Sequence, residues 1–212
     1  MEAVILNHPL IKHKLTILRD KETGTKEFRE LVSEISTMLL YESMKDIELV
    51  KKEIETPVCK TVGEVIDENK LAFIPILRAG TGMLDGLIKV IPNAKIGHIG
   101  LYRNEETLKP VKYFYKVPKD LGSRIVYILD PMLATGGSAI DAVSMIKEDT
   151  KNPNIKIKFL CLIAAPEGIK AVQEKHPDVE IFAASLDEKL NEKGYIIPGL
   201  GDAGDRIFNT VI

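Results

Sequence analysis

The spacing of apolar residues sets out most of the architecture. From Thr25 they recur at Phe28, Leu31, Val32, Ile35, Met38 and Leu39, which places them on one face of a helix. Gly24-Thr25 supplies its start signal. Leu71-Ala-Phe-Ile-Pro-Ile-Leu77 is a short continuous apolar run, as in a buried strand. Pro75 removes a ladder donor from that run and so predicts a bulge or a strand end there. Residues 94–102, 125–129, 155–164 and 179–184 read as further strands, and 79–90, 138–147 and 166–175 as helices. Strands alternating with helices predict right-handed crossovers and an α/β fold with a doubly wound, mainly parallel sheet. No repeat, low-complexity segment or linker interrupts the pattern, so residues 1–212 are expected to form one domain.

Two stretches break the alternation. Residues 104–122 are charged and aromatic, with Tyr113-Phe-Tyr115 in the middle, and predict an arm or a long functional loop. Residues 193–208 are neither helical nor alternating. Chain ends are often loose, but the aliphatics, aromatics, glycines and proline of this one predict an irregular hood on the core. Such a hood exposes backbone groups that need partners, and it could read the edge of a planar base.

The 212 residues are enough for one sizeable core, and 45% hydrophobic with 28% charged residues is ordinary for a globular protein. A net charge of −2 leaves no whole-chain footprint for nucleic acid. Cys59 and Cys161 belong to no metal-ligand pattern, which fits a reducing compartment. The start Met1-Glu-Ala-Val-Ile-Leu lacks a basic region and a long apolar core, and no run approaches a membrane span. A cytoplasmic location is expected.

The candidate chemistry centres on Val126-Tyr-Ile-Leu-Asp130-Pro-Met-Leu-Ala-Thr135-Gly-Gly-Ser138. An apolar strand ends in a carboxylate, a glycine loop follows, and a hydroxyl residue opens a helix. Glycines let an anion reach bare N–H groups, and the helix start adds unpaired donors. Thr135 and Ser138 can add hydroxyls. Asp130 repels phosphate and suits a pair of ribose hydroxyls. The loop has neither the lysine of a Walker A motif nor a Gly-x-Gly-x-x-Gly spacing. The plainer alternative is a capped strand–turn–helix connection, but a loop at the carboxyl end of a buried strand is where open α/β sheets bind ligands. Leu77-Arg78-Ala-Gly80-Thr-Gly82 is a second such turn, either a second anion cradle or a capped turn with a solvated Arg. Arg103 is either a diphosphate clamp or the surface partner of Glu105 or Glu106.

The loop resembles the phosphoribosyl-pyrophosphate loop of the type I phosphoribosyltransferases. Taken with His8-Pro-Leu-Ile-Lys-His-Lys-Leu-Thr-Ile-Leu-Arg-Asp20, Thr25-Lys-Glu-Phe-Arg-Glu30, Pro75 to Gly80, Gly100-Leu-Tyr-Arg103 and Gly194 to Phe208, nearly the whole chain resembles the uracil phosphoribosyltransferase family. Many type I members carry two adjacent acids where this chain has Asp130-Pro131, the form of the uracil branch. The resemblance implies transfer of the phosphoribosyl group to uracil, giving UMP and pyrophosphate, by a homodimer or larger homo-oligomer. It implies that Arg78 and Arg103 hold the diphosphate, and that Asp130, Pro131, Met132, Leu133, Ala134, Thr135, Gly136, Gly137 and Ser138 hold the ribose 5-phosphate. It implies that Ile196, Gly201, Asp202 and Ala203 line the uracil, with Asp202 also near the sugar phosphate. Asp202 and Arg103 become the candidate catalytic residues, and Mg²⁺ is expected bound mainly through the diphosphate. Asn104 stands where relatives commonly have Asp and is given no role. The rivals are a phosphoribosyltransferase for another base, against which the hood speaks, and a regulatory protein sensing the diphosphate on the same fold. Control by a nucleotide such as GTP leaves no readable mark.

Overall fold

Helices cover both faces of a twisted sheet in the computed structural model, which describes residues 2–103 and 110–210. The chain opens with β1 (Val4–Ile5), α1 (Pro9–Arg19) and α2 (Thr25–Ser43). A hairpin follows, β2 (Leu49–Glu55) and β3 (Lys60–Ile66), and then β4 (Leu71–Leu77), α3 (Thr81–Val90), β5 (Lys95–Ile96) and β6 (His98–Arg103). After β7 (Pro110–Lys116) come β8 (Ile125–Leu129), β9 (Met132–Leu133), α4 (Gly137–Thr150), β10 (Ile157–Ala164), α5 (Pro166–Lys175) and β11 (Glu180–Leu186). The last elements are β12 (Lys189–Leu190), β13 (Ile196–Ile197) and α6 (Ala203–Phe208).

The main sheet runs β1-β11-β10-β8-β4-β6-β7, with β5 beside β4 and β9 beside β10. Every pair is parallel except β6–β7. The doubly wound, mainly parallel sheet read from the sequence is therefore present. All of β10 is buried, as a central parallel strand covered on both faces must be. One face packs Phe28, Leu31, Val32, Ile35 and Leu39 of α2 with Met83 and Leu87 of α3. The other packs Ala142, Val143 and Ile146 of α4 with Val172 of α5. The backbones of α2 and α3 come close at Gly86, where a Cβ would stand 2.1 Å from the Ser33 carbonyl oxygen.

Several expectations need correction. Strand β4 runs through Pro75, which stays in register opposite Leu129 with no bulge. Phe73 accepts from Gly97 N–H, so strand alternation turns the missing Pro75 donor to the same side, where β5 and β6 are separated at Gly97. That break also divides the strand expected over 94–102. The arm expected over 104–122 contains β7, antiparallel to β6, while residues 104–109 lie outside the described residues. Residues 203–208 form α6 and 196–197 pair with β12, so the hood is less irregular than its composition suggests. Helix α1 and the β2–β3 hairpin were not anticipated. His8 caps α1 by accepting from Leu10 N–H, with Pro9 at the first helical position.

Candidate active site

Neighbouring strands β4 and β8 send their helices to opposite faces, α3 to one and α4 to the other. Their carboxyl ends thus flank the crevice where such sheets bind ligands. Two loops meet there. The Arg78 turn lies against the end of β8 because residue 80 is glycine: a Cβ would come 2.2 Å from the Leu129 carbonyl oxygen. The Leu77–Arg78 peptide is cis.

The Asp130–Ser138 loop turns its carbonyls inward. Pro131 C=O accepts from Leu162 and Ile163 N–H at 3.0 and 3.2 Å, and Leu133 C=O accepts from Ala165 N–H at 2.9 Å. Gly168 of α5 lies directly beneath, since a Cβ there would stand 2.4 Å from Ala134 O. Gly136, at φ 84°, is the N-cap of α4. The left-handed position is Gly136 and not Gly137, which is the first helical residue. Among the described residues, none of the N–H groups of 134–138 has a protein acceptor. These donors border a hollow of about 90 Å³ lined by Asp130, Thr135, Gly136, Gly137 and Ser138. Unpaired donors at the positive end of a helix make an anion seat.

Asp130 stands at the rim. Burial pushes its carboxyl up to about 7, and the Met132 N–H lowers it only in part. A carboxyl raised in the folded state makes its ionised form unfavourable to folding. That cost is absent below the ordinary value near 3.8, grows as pH rises, and is complete above about 7. Asp130→Asn is therefore expected to stabilise the protein at pH 8 by about 1–3 kcal/mol, the gain shrinking toward pH 4. Denaturant titrations at several pH values measure this, and a pH-independent difference would remove the ionised carboxylate as the cause.

Between the Arg78 turn and the C-terminal segment lies a cavity of about 320 Å³, bordered by Arg78, Met132, Ala134, Ile196, Gly201 and Asp202. Ala203 completes its floor, and Ala79, Tyr195 and Gly204 line it without having been anticipated. Of these, Ala79 and Gly204 had no chemical signal in the sequence, since neither carries a polar side chain. Among the described residues, Gly201 N–H and C=O have no protein partner. Asp202 caps α6, its Oδ1 accepting Asp205 N–H at 2.9 Å. Arg78 lies over the Phe208 ring, 5.5 Å from its centroid, and 4.0 Å from Asp205 Oδ1. Arg206 follows Asp205 directly in the chain and is its nearest cation in sequence. That guanidinium instead donates to Leu200 and Asp20 C=O and stacks on Phe28.

The structure thus gathers Arg78, Met132, Ala134, Ile196, Gly201, Asp202 and Ala203 at one cavity. Asp130, Met132, Leu133, Ala134, Thr135, Gly136, Gly137 and Ser138 line the adjoining hollow, and Met132 and Ala134 border both. Pro131 lines neither, because it is buried with its carbonyl bound to β10. The backbone of Arg103 ends β6 on the same edge of the sheet, while its side chain lies outside the described residues.

Residues 4–210 match the family model for uracil phosphoribosyltransferase. The chain is 62% identical over 210 residues to a uracil phosphoribosyltransferase of Clostridium botulinum (strain Eklund 17B / Type B), with 99% of each covered. A solved structure of an Aquifex aeolicus protein superposes with a TM-score of 0.93 at 45% identity, covering 100% of both chains. A hypoxanthine-guanine phosphoribosyltransferase from Bacillus anthracis shares the fold, with a TM-score of 0.51 at 15% identity over 77% of this chain and 80% of the other. On the match across nearly its whole length, the chain belongs to the uracil phosphoribosyltransferase family.

Proposed function

We propose that this protein transfers the phosphoribosyl group of phosphoribosyl pyrophosphate to uracil, giving UMP and pyrophosphate in pyrimidine salvage. The carrying observation is the placement of two seats side by side. The unpaired N–H groups of 134–138 make an anion seat, and the cavity next to it ends in the free backbone groups of Gly201. The 5-phosphate belongs on Thr135, Gly136, Gly137 and Ser138, and the ribose hydroxyls belong on Asp130. The diphosphate belongs with Arg78 and Arg103. Uracil belongs between Ile196, Gly201, Asp202 and Ala203.

In the reaction the C1–oxygen bond to the diphosphate breaks, with its electron pair leaving on pyrophosphate. The bond from uracil N1 to C1 forms, and the N1 proton passes to solvent. The chain needs no nucleophile of its own. Its residues hold both reactants together, balance the leaving charge with the two guanidiniums, and keep water from the ring. When bound, Mg²⁺ would be held mainly through the diphosphate and would shield its charge.

We place the enzyme in the cytoplasm as a homodimer or larger homo-oligomer. The β2–β3 hairpin supports the association: its strands are largely exposed, with Leu49, Ile54 and Val62 in water, as is Val58 in the turn between them. Such a ribbon is marginal alone.

Turnover assays with each free base test the assignment. A backbone N–H toward uracil O4 and a C=O toward its N3–H suit uracil, and cytosine reverses both polarities. Each buried mismatch costs about 1–3 kcal/mol, so the preference for uracil over cytosine is expected to be on the order of a hundredfold or more. Equal turnover of the two would sink the assignment. Tight diphosphate binding without turnover of any base would make the protein a sensor.

A further inference from the structure

The stretch His8 to Asp20 belongs to the resemblance but has no part in the chemistry described so far. Its last helical residue, Arg19, reaches the base-reading segment. The guanidinium grips both carboxylate oxygens of Asp187, at 2.7 and 2.5 Å. It also donates to Gly199 C=O at 2.6 Å and to Ser185 Oγ at 3.2 Å. Asp187, just beyond β11, has a side chain only 2% exposed, and it accepts from Gly199 N–H at 2.9 Å and from Ser185 Oγ at 2.9 Å. Burial alone would raise this carboxyl. The Arg19 hydrogen bonds and charge, with Gly199 N–H and Ser185, outweigh burial and hold it below its ordinary value.

The ion pair therefore takes up both backbone groups of Gly199, one on each partner. Gly199 is at φ 67°, and a Cβ would stand 2.2 Å from Ile196 O, so only glycine fits this turn. The next carbonyl, Leu200, accepts from Arg206 at 2.9 Å, and the Leu200 side chain is buried. Both backbone groups of Gly199 and the Leu200 carbonyl are thus committed, while among the described residues the N–H and C=O of Gly201, at the cavity, have no protein partner.

We propose that Arg19 and Asp187 are positioning residues for uracil. By holding Gly199 they fix which backbone groups face the base, though neither side chain borders the cavity. The inference rests on the uracil reading given above. A bidentate guanidinium is needed because a lysine ammonium cannot span two carboxylate oxygens and a carbonyl with the same fixed fork.

Two variants test it, each assayed for KM, kcat and melting temperature. Arg19→Lys is expected to raise KM for uracil about three- to tenfold while KM for phosphoribosyl pyrophosphate stays within about twofold. The double variant Arg19→Met/Asp187→Leu leaves no buried charge alone and should recover most of the stability that a single charge deletion loses. Its KM for uracil is nevertheless expected to rise about tenfold or more, with a reduced preference over cytosine. A folded double variant with wild-type uracil KM would overturn the proposal. So would parallel rises for both substrates in Arg19→Lys, which also decides the matter if the double variant does not fold. Wild-type turnover of uracil is measured first: its absence defeats the assigned reaction, whereas its presence with unmoved variants defeats only the positioning role.

Discussion

Gly137→Val is expected to abolish turnover in a protein that still folds, whereas Gly136→Val should damage the fold itself. The two glycines are adjacent, and the structure gives them different work. Gly137 is the first residue of α4 and lines the anion hollow. Its backbone is not left-handed, so valine meets no forbidden angle, and valine is no worse than glycine in a helix. The branched side chain instead crowds the seat where an anion must touch bare N–H groups. Losing two charge-assisted contacts at about 1.5–3 kcal/mol each lowers kcat/KM by a factor of about a hundred to ten thousand or more. Gly136 has φ 84°, and a Cβ there would stand 3.0 Å from Gly168 O and 3.2 Å from the Ala171 Cβ. A β-branched residue pays about 1–2 kcal/mol for that backbone and must also push α5 away. Melting curves and calorimetric titration with phosphoribosyl pyrophosphate separate the two. If Gly137→Val keeps near-wild-type kinetics, the loop is only a turn.

That contrast marks how far the sequence could be read. The β8–loop–α4 unit was legible because an apolar run, a carboxylate and paired glycines each have one easy structural solution there. Which glycine turns left-handed was not, because both satisfy the same local pattern. That choice depends on α5, whose Gly168 lies far along the chain yet packs under the loop. The parallel core was legible for a similar reason, since β4 and β8 are continuous apolar runs and β10 is one from Phe159 to Ala164. The β2–β3 hairpin was not, because its strands are exposed and mix charges with aliphatics. Nothing local announces Arg19 and Asp187 as partners, 168 positions apart. At the cavity, Ile196, Gly201 and Ala203 were named through resemblance alone, since backbone groups that read a base leave no side-chain signature. Helix α6 was hidden because it is only six residues long and contains a glycine, so its apolar pattern is too short to show a period.

The same segment carries the second large effect, the separation of Asp202 from Asp205. Asp202→Asn is expected to lower the turnover number about tenfold to a thousandfold, and Asp205→Asn less than about threefold. The structure makes the first substitution a clean probe of charge. Asp202 Oδ1 caps α6 through Asp205 N–H, and asparagine caps a helix about as well as aspartate. The cap therefore survives, and a lost rate reports the missing negative charge beside the cavity. That charge is suited to the positive charge that builds on the ribose as the diphosphate leaves. Capping occupies one oxygen of Asp202, so the other stays available for the substrate role proposed above. Asp205 is committed elsewhere. Its carboxylate accepts the Thr210 hydroxyl at 2.7 Å and faces Arg78 at 4.0 Å. The Arg78 side chain is 60% exposed, and exposed pairs of this kind contribute only about 0–1 kcal/mol. Asparagine at 205 can still accept from Thr210, and release of Arg78 leaves its cation free for the diphosphate. Both variants should melt close to the wild type and be compared at saturating uracil and phosphoribosyl pyrophosphate. Equal rate losses, or a larger loss at 205, would transfer the electrostatic role from Asp202 to the carboxylate that faces Arg78.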